Sequence, residues 1–168
     1  MAFLKLIVSA LFVGQSLADN NFDGTYHPVD EKELTLRSLN LTTGGPYTYS
    51  QSKHHFYGTA YDGTYIDTTS CCCGSAGSCR DNPDCQCVKN VGPLPQGTYT
   101  LGNMFTYKGY PYSYELYPSS SNNMCGRSEF LIHGGNCQSG NPSIGCIVIP
   151  DENTRYRIKS GATLKVVA

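Results

Sequence analysis

Short apolar runs separated by turn chemistry make up most of this chain, and no long apolar stripe recurs at the helical period of about 3.6 residues. The pattern predicts strands over residues 33–39, 55–61, 97–101, 113–117, 129–133, 146–149 and 163–167. Breakers stand between them, among them Gly44-Gly45-Pro46, Asp62-Gly63 and Pro93-Leu94-Pro95. One short helix is expected after Pro150, where Asp151 can cap residues 152–156 ahead of the Ser160-Gly161 turn. The class is therefore mostly β: one domain with at most one or two short helices, no internal repeat and no linker. Tyr107, Tyr110, Tyr112, Tyr114 and Tyr117 fit half-buried strand surfaces, so strand packing is expected of them and no site role.

The first 18 residues stand apart. Lys5 precedes an apolar run from Leu6 to Val13, and small residues follow at Ser16 and Ala18. That run is about half of the roughly 20 residues a spanning helix needs, which is the layout of a secretory signal. Cleavage after Ala18 would leave a secreted domain over 19–168 with no membrane segment. Twelve basic and 13 acidic residues, without a basic run, exclude nucleic acid as a partner. The pattern leaves the oligomeric state open. Asn40-Leu41-Thr42 is a glycosylation acceptor that would place its turn on the surface in a eukaryotic host.

Nine cysteines in a secreted chain imply a disulfide framework, and the odd count implies that eight pair and one stays free. Six of them fall between Cys71 and Cys87, in a loop rich in glycine, serine and asparagine. The segment at about 70–88 therefore reads as a stapled insertion. Secretion and the lack of a neighbouring histidine argue against zinc, so no metal or cofactor is expected.

The segment with the most chemistry is Phe130-Leu-Ile-His133-Gly134-Gly135, a loop, and then Ser143-Ile-Gly145-Cys146-Ile-Val-Ile149. A histidine ends one apolar run and a cysteine begins the next, so neighbouring strands could bring imidazole and thiol together. Thiol catalysis needs that pair: the thiolate attacks, and the imidazole takes and returns the proton. Gly145 lets a substrate approach the backbone closely, and the N–H groups of Gly145 and Cys146 could face an oxyanion. Spacing alone leaves a second reading open, a packed histidine and half of a disulfide.

The block from 91 to 149, with GPLPQGTY, GRSEFLIHGG and SIGCIVIP in that order, resembles the L,D-transpeptidase (YkuD-like) catalytic domain, most of all the branch found among type VI secretion effectors. The resemblance implies an L,D-transpeptidase-like β-sandwich with Cys146 as nucleophile and His133 as general base and acid. It implies pocket or oxyanion roles for Gly134, Ser143 and Gly145, and a substrate-carboxylate contact for Arg127. Many family members carry a histidine before the Gly-Cys pair and an arginine soon after it, where this chain has Ile144 and Val148. Activation would then rest on His133, with a backbone carbonyl fixing its tautomer.

The implied substrates are bacterial peptidoglycan stem peptides. Cys146 would attack the amide before a terminal D-alanine and form a thioester. A stem amine, a free D-amino acid or water would then give transpeptidation, exchange or carboxypeptidase activity. In a eukaryotic host such an enzyme would be antibacterial. Papain-like hydrolases place cysteine before histidine, the reverse of the order here. The alternative is a non-enzymatic, disulfide-rich binding or inhibitory module in which Cys146 is bridged.

Overall fold

The computed structural model describes residues 44–168 apart from 76 and 141. The predicted signal segment 1–18, the predicted strand 33–39 and Asn40 lie outside the described residues. The fold is mostly β: among the described residues, one continuous sheet of nine strands is curled into a half-barrel. In chain order the strands are β1 (Tyr47–Ser50), β2 (His55–Thr59), β3 (Tyr65–Thr68), β4 (Cys72–Cys73), β5 (Gly97–Tyr107), β6 (Tyr110–Pro118), β7 (Leu131–His133), β8 (Ile147–Val148) and β9 (Thr163–Val167). Their order across the sheet is β3-β2-β1-β9-β5-β6-β7-β8-β4. Only β1–β9 and β7–β8 pair in parallel.

Period-two alternation builds the core. Along β9, Leu164 and Val166 face inward while Thr163 and Lys165 face water. They meet Tyr47 and Tyr49 of β1, Tyr99 and Leu101 of β5, and Tyr114 and Leu116 of β6. Ile132 of β7 and Ile147 of β8 continue the same core to the end of the sheet where the His133 and Cys146 strands lie.

Six of the predicted strands fall on β2, β5, β6, β7, β8 and β9. The chain does not stop at Gly102-Asn103, as the turn-like composition suggests; β5 runs on to Tyr107 through a register shift between Leu101 and Met104. The hairpin with β6 consequently turns at Lys108-Gly109, whose φ angles of 47° and 83° are both positive, as the type I′ primed turn requires. The predicted helix is α1 (Glu152–Tyr156), and the Asp151 carboxylate accepts the Thr154 N–H at 2.7 Å. Arg155 of this helix turns inward and is only 1% exposed, its guanidinium donating to the carbonyls of Ile149, Pro150 and Pro111.

Three thiols stay free where the odd cysteine count implied one. Three disulfides form, Cys72–Cys137, Cys79–Cys85 and Cys87–Cys125, and three cysteines stay free: Cys71, Cys73 and Cys146. The reason is strand alternation. Cys72 on β4 faces Cys137, while its neighbours Cys71 and Cys73 are turned into the interior, where no sulfur meets them. The Cys71 thiol donates to the His54 carbonyl, and burial pushes its pKa up to about 12. Cys73 lies fully buried between the Leu94 N–H and the Gly145 carbonyl, and burial likewise holds it as a thiol. Burial protects these two where bridging was expected. Two of the bridges also tie the cysteine-rich segment outward, to the loops carrying Cys125 and Cys137, so it is anchored to the domain at both ends.

Candidate active site

The parallel pairing of β7 and β8 sets Ile132 against Ile147 and His133 against Val148. Cys146, one residue ahead of β8, lies back along the strand toward Leu131, whose N–H reaches its sulfur at 3.4 Å. His133 and Cys146 thus line one cavity of about 440 Å³, together with Gly134, Ser143, Lys108 and Ile144. A second cavity of about 350 Å³ opens on the other side of Cys146, lined by Arg127, Phe130, Lys89 and Glu129. Tyr107, Ile144 and Cys146 belong to both.

The imidazole is oriented from below. Nδ1 of His133 lies 2.6 Å from the Gly134 carbonyl, and because a carbonyl can only accept, Nδ1 carries the hydrogen and donates it. The lone pair of Nε2 remains for a proton acceptor's work. Burial lowers the His133 pKa below its ordinary 6.5, and the Arg155 and Lys108 cations act in the same direction against the Gly134 hydrogen bond. Burial also raises the Cys146 pKa above 9.0, opposed by the Leu131 N–H, Arg127 and Lys108. At neutral pH the pair rests as imidazole and thiol rather than as imidazolium and thiolate. Iodoacetamide should therefore modify Cys146 slowly at about pH 6, with a rate that climbs past pH 9. Mass spectrometry of the modified peptide checks this, and rapid labelling at the lower pH would reveal a preformed thiolate instead.

The turn before Cys146 is held by two neighbours. The Ser143 hydroxyl donates to the Cys146 carbonyl at 2.8 Å and accepts the N–H groups of Gly74 and Gly145 at 3.1 and 3.3 Å. Since Ser143 engages the Gly145 N–H, the Cys146 N–H is the donor left for an oxyanion. Arg127, buried to 8% exposure, donates to the carbonyls of Gln86, Pro93, Gly92 and Ile144 over 2.5–2.9 Å and lies over the Phe130 ring. Its terminal nitrogens are committed to backbone, which makes it a strut for the cysteine turn more than a free hand for a substrate carboxylate. Gly145 is required here. At its φ of 139°, a Cβ would lie 2.4 Å from Arg127 Nη2 and 2.6 Å from Phe130 Cε1. Gly134 is equally confined, between Tyr110 and Arg155.

The family model of the Tlde1 domain, the L,D-transpeptidase domain of type VI effectors, matches residues 73–167. The chain belongs to the Tlde1 domain family. Among solved structures the chain is similar to an L,D-transpeptidase from Mycobacterium smegmatis, at 15% identity, a TM-score of 0.43, and coverage of 73% of this chain and 58% of that one. It is similar in the same degree to the LD transpeptidase LdtMt1 in complex with imipenem, at 15% identity and a TM-score of 0.43, covering 72% and 57%. The chain thus spans less than two thirds of the length of either structure. No curated protein sequence matches it.

Within this Tlde1 domain the two departures from the commoner transpeptidase pattern lie in different surroundings. Ile144 is 56% exposed and lines both cavities. Val148 is fully buried against Gly135. Sequence reasoning missed the hairpin tip. The rings of Tyr107 and Tyr110 lie 5.4 and 6.4 Å from the His133 ring, and Lys108 joins them in the cavity wall. The signal was present as Tyr-Lys-Gly-Tyr, a turn dipeptide between two tyrosine-rich runs. Tyr114, in contrast, is core, its hydroxyl donating toward the Arg155 and Ile158 carbonyls. Among the described residues no helix is long and apolar enough to cross a membrane.

Proposed function

We propose that this chain is a cysteine enzyme acting on peptidoglycan stem peptides, with Cys146 as nucleophile and His133 as general base and then acid. The observation that carries the reading is the shared cavity, lined both by a free thiol and by an imidazole whose Nδ1–H is already engaged by the Gly134 carbonyl. Nε2 accepts the thiol proton as sulfur attacks the amide carbonyl before the terminal D-alanine, and the same proton goes to the departing amine. The Cys146 N–H stabilises the oxyanion, while Ser143, Gly145 and Arg127 hold the turn. A thioester remains, and an amine or water resolves it. Residues 1–18 would deliver the domain over 19–168 to an oxidising exterior, in keeping with its three disulfides. There the target would be a bacterial wall, giving an antibacterial role.

The test is incubation of the mature protein with disaccharide-tetrapeptide muropeptides, with and without D-methionine, followed by mass spectrometry. Loss of D-alanine, or its replacement by D-methionine, is the expected outcome. Unchanged muropeptides, together with a Cys146 that resists alkylation at alkaline pH, would leave the binding module as the better account.

A further inference from the structure

The cavity that holds His133 is also the one through which both amines must pass, given the proposed mechanism on which this inference rests. His133 protonates the leaving amine, and by microscopic reversibility it deprotonates the incoming one, so both lie on its side of Cys146. Each is the α-amine of a residue with its own carboxylate close by. That carboxylate enters a partly desolvated space and needs a cation.

Four cations are near. Lys89 lines the other cavity, as does Arg127, whose terminal nitrogens bond four backbone carbonyls. Arg155 is buried beneath Gly134 with its guanidinium on three carbonyls. Lys108 is different: it is exposed at the tip of the β5–β6 hairpin, in the wall of the His133 cavity, with Nζ 5.1 Å from the centre of the Tyr107 ring. The primed turn at Lys108-Gly109 fixes that placement, and the ammonium rests over the tyrosine face on an exposed residue that an anion in the cavity can reach.

We propose that Lys108 binds the α-carboxylate of the leaving and incoming residue, so that the acceptor is selected as an amino acid with a free carboxylate next to its amine. No charge is transferred at this lysine. The thiol proton moves to His133 and on to the leaving amine, and the acceptor's proton returns by the same ring to the Cys146 sulfur as the new amide forms.

Exchange kinetics with D-methionine and with D-methioninamide, in the wild type, Lys108→Gln and Lys108→Arg, test this. Comparing the acid-to-amide preference between proteins cancels the different basicity of the two amines. Lys108→Gln should raise KM for D-methionine and lower the preference roughly five- to tenfold, between an exposed ion pair and a desolvated one. Lys108→Arg should restore most of it. An unchanged preference in Lys108→Gln overturns the proposal while leaving the thiol chemistry intact. Saturation-transfer NMR of D-methionine on Cys146→Ala, with and without Lys108→Gln, gives a readout free of turnover. Lys108-dependent binding there supports the carboxylate site even if the wild type proves inactive, and binding indifferent to Lys108 overturns it.

Discussion

Cys146→Ala should abolish release and exchange of D-alanine, while His133→Ala should slow them by about a thousandfold, within the range of general acid–base catalysis. The two losses differ in kind. Without sulfur there is no thioester, and the neighbouring buried thiol cannot substitute, because Cys73 is enclosed by Leu94 and Gly145 and held protonated. Without the imidazole the nucleophile remains but lacks its proton acceptor. Its residual rate should rise with pH through the elevated Cys146 pKa above 9.0, as solvent takes the proton instead. In the unaltered protein His133 stays neutral to below pH 6.5, so the acid limb of kcat/KM should fall below that value and the rate should be level through neutrality. Rates of purified variants on muropeptides across pH decide the matter. Turnover by Cys146→Ala would remove this cysteine from the mechanism.

Removing the Cys72–Cys137 bridge with paired serine substitutions should destabilise the fold by about 4 kcal/mol, the chain-entropy expectation for a separation of 65 residues. A fall in Tm of roughly 10 °C or more follows for a domain of this size. The effect should reach the site as well. Cys72 belongs to β4, whose only partner strand is β8, immediately after Cys146. Cys137 lies in the loop that leaves His133. Arg80 reinforces the junction by donating to the carbonyls of Cys137 and Ser139. Loss of the bridge frees the segments that carry His133 and Cys146 at once, so on the proposed mechanism kcat should fall at temperatures where the protein is still folded. Calorimetry and muropeptide turnover on the same samples separate the two effects, and an unchanged Tm would show that the β4–β8 pairing and Arg80 suffice.

Local chemistry made a large part of this molecule readable. Alternation in 163–167 and 113–117, the Asp151 cap and the His-Gly and Ser-x-Gly-Cys blocks each act over a few residues, and the elements they predict are present. The shorter strands escaped because their own few residues carry little alternation. β4 has only two residues, and β1 has four, held between its neighbour β2 on one side and β9, more than a hundred residues away, on the other. The same division runs through the site. Residue types and order pointed to Cys146 and His133, since thiol chemistry needs both. Tertiary structure alone decided that Arg127 is tied to backbone carbonyls, that Cys71 and Cys73 stay unpaired, and that the β5–β6 hairpin carries Tyr107, Lys108 and Tyr110 to the imidazole. The physical reason is common to all three. Burial, hydrogen-bond commitment and the approach of distant strands are properties of packing, set by partners far along the chain, whereas caps, turns and alternation are settled by the neighbouring residues themselves.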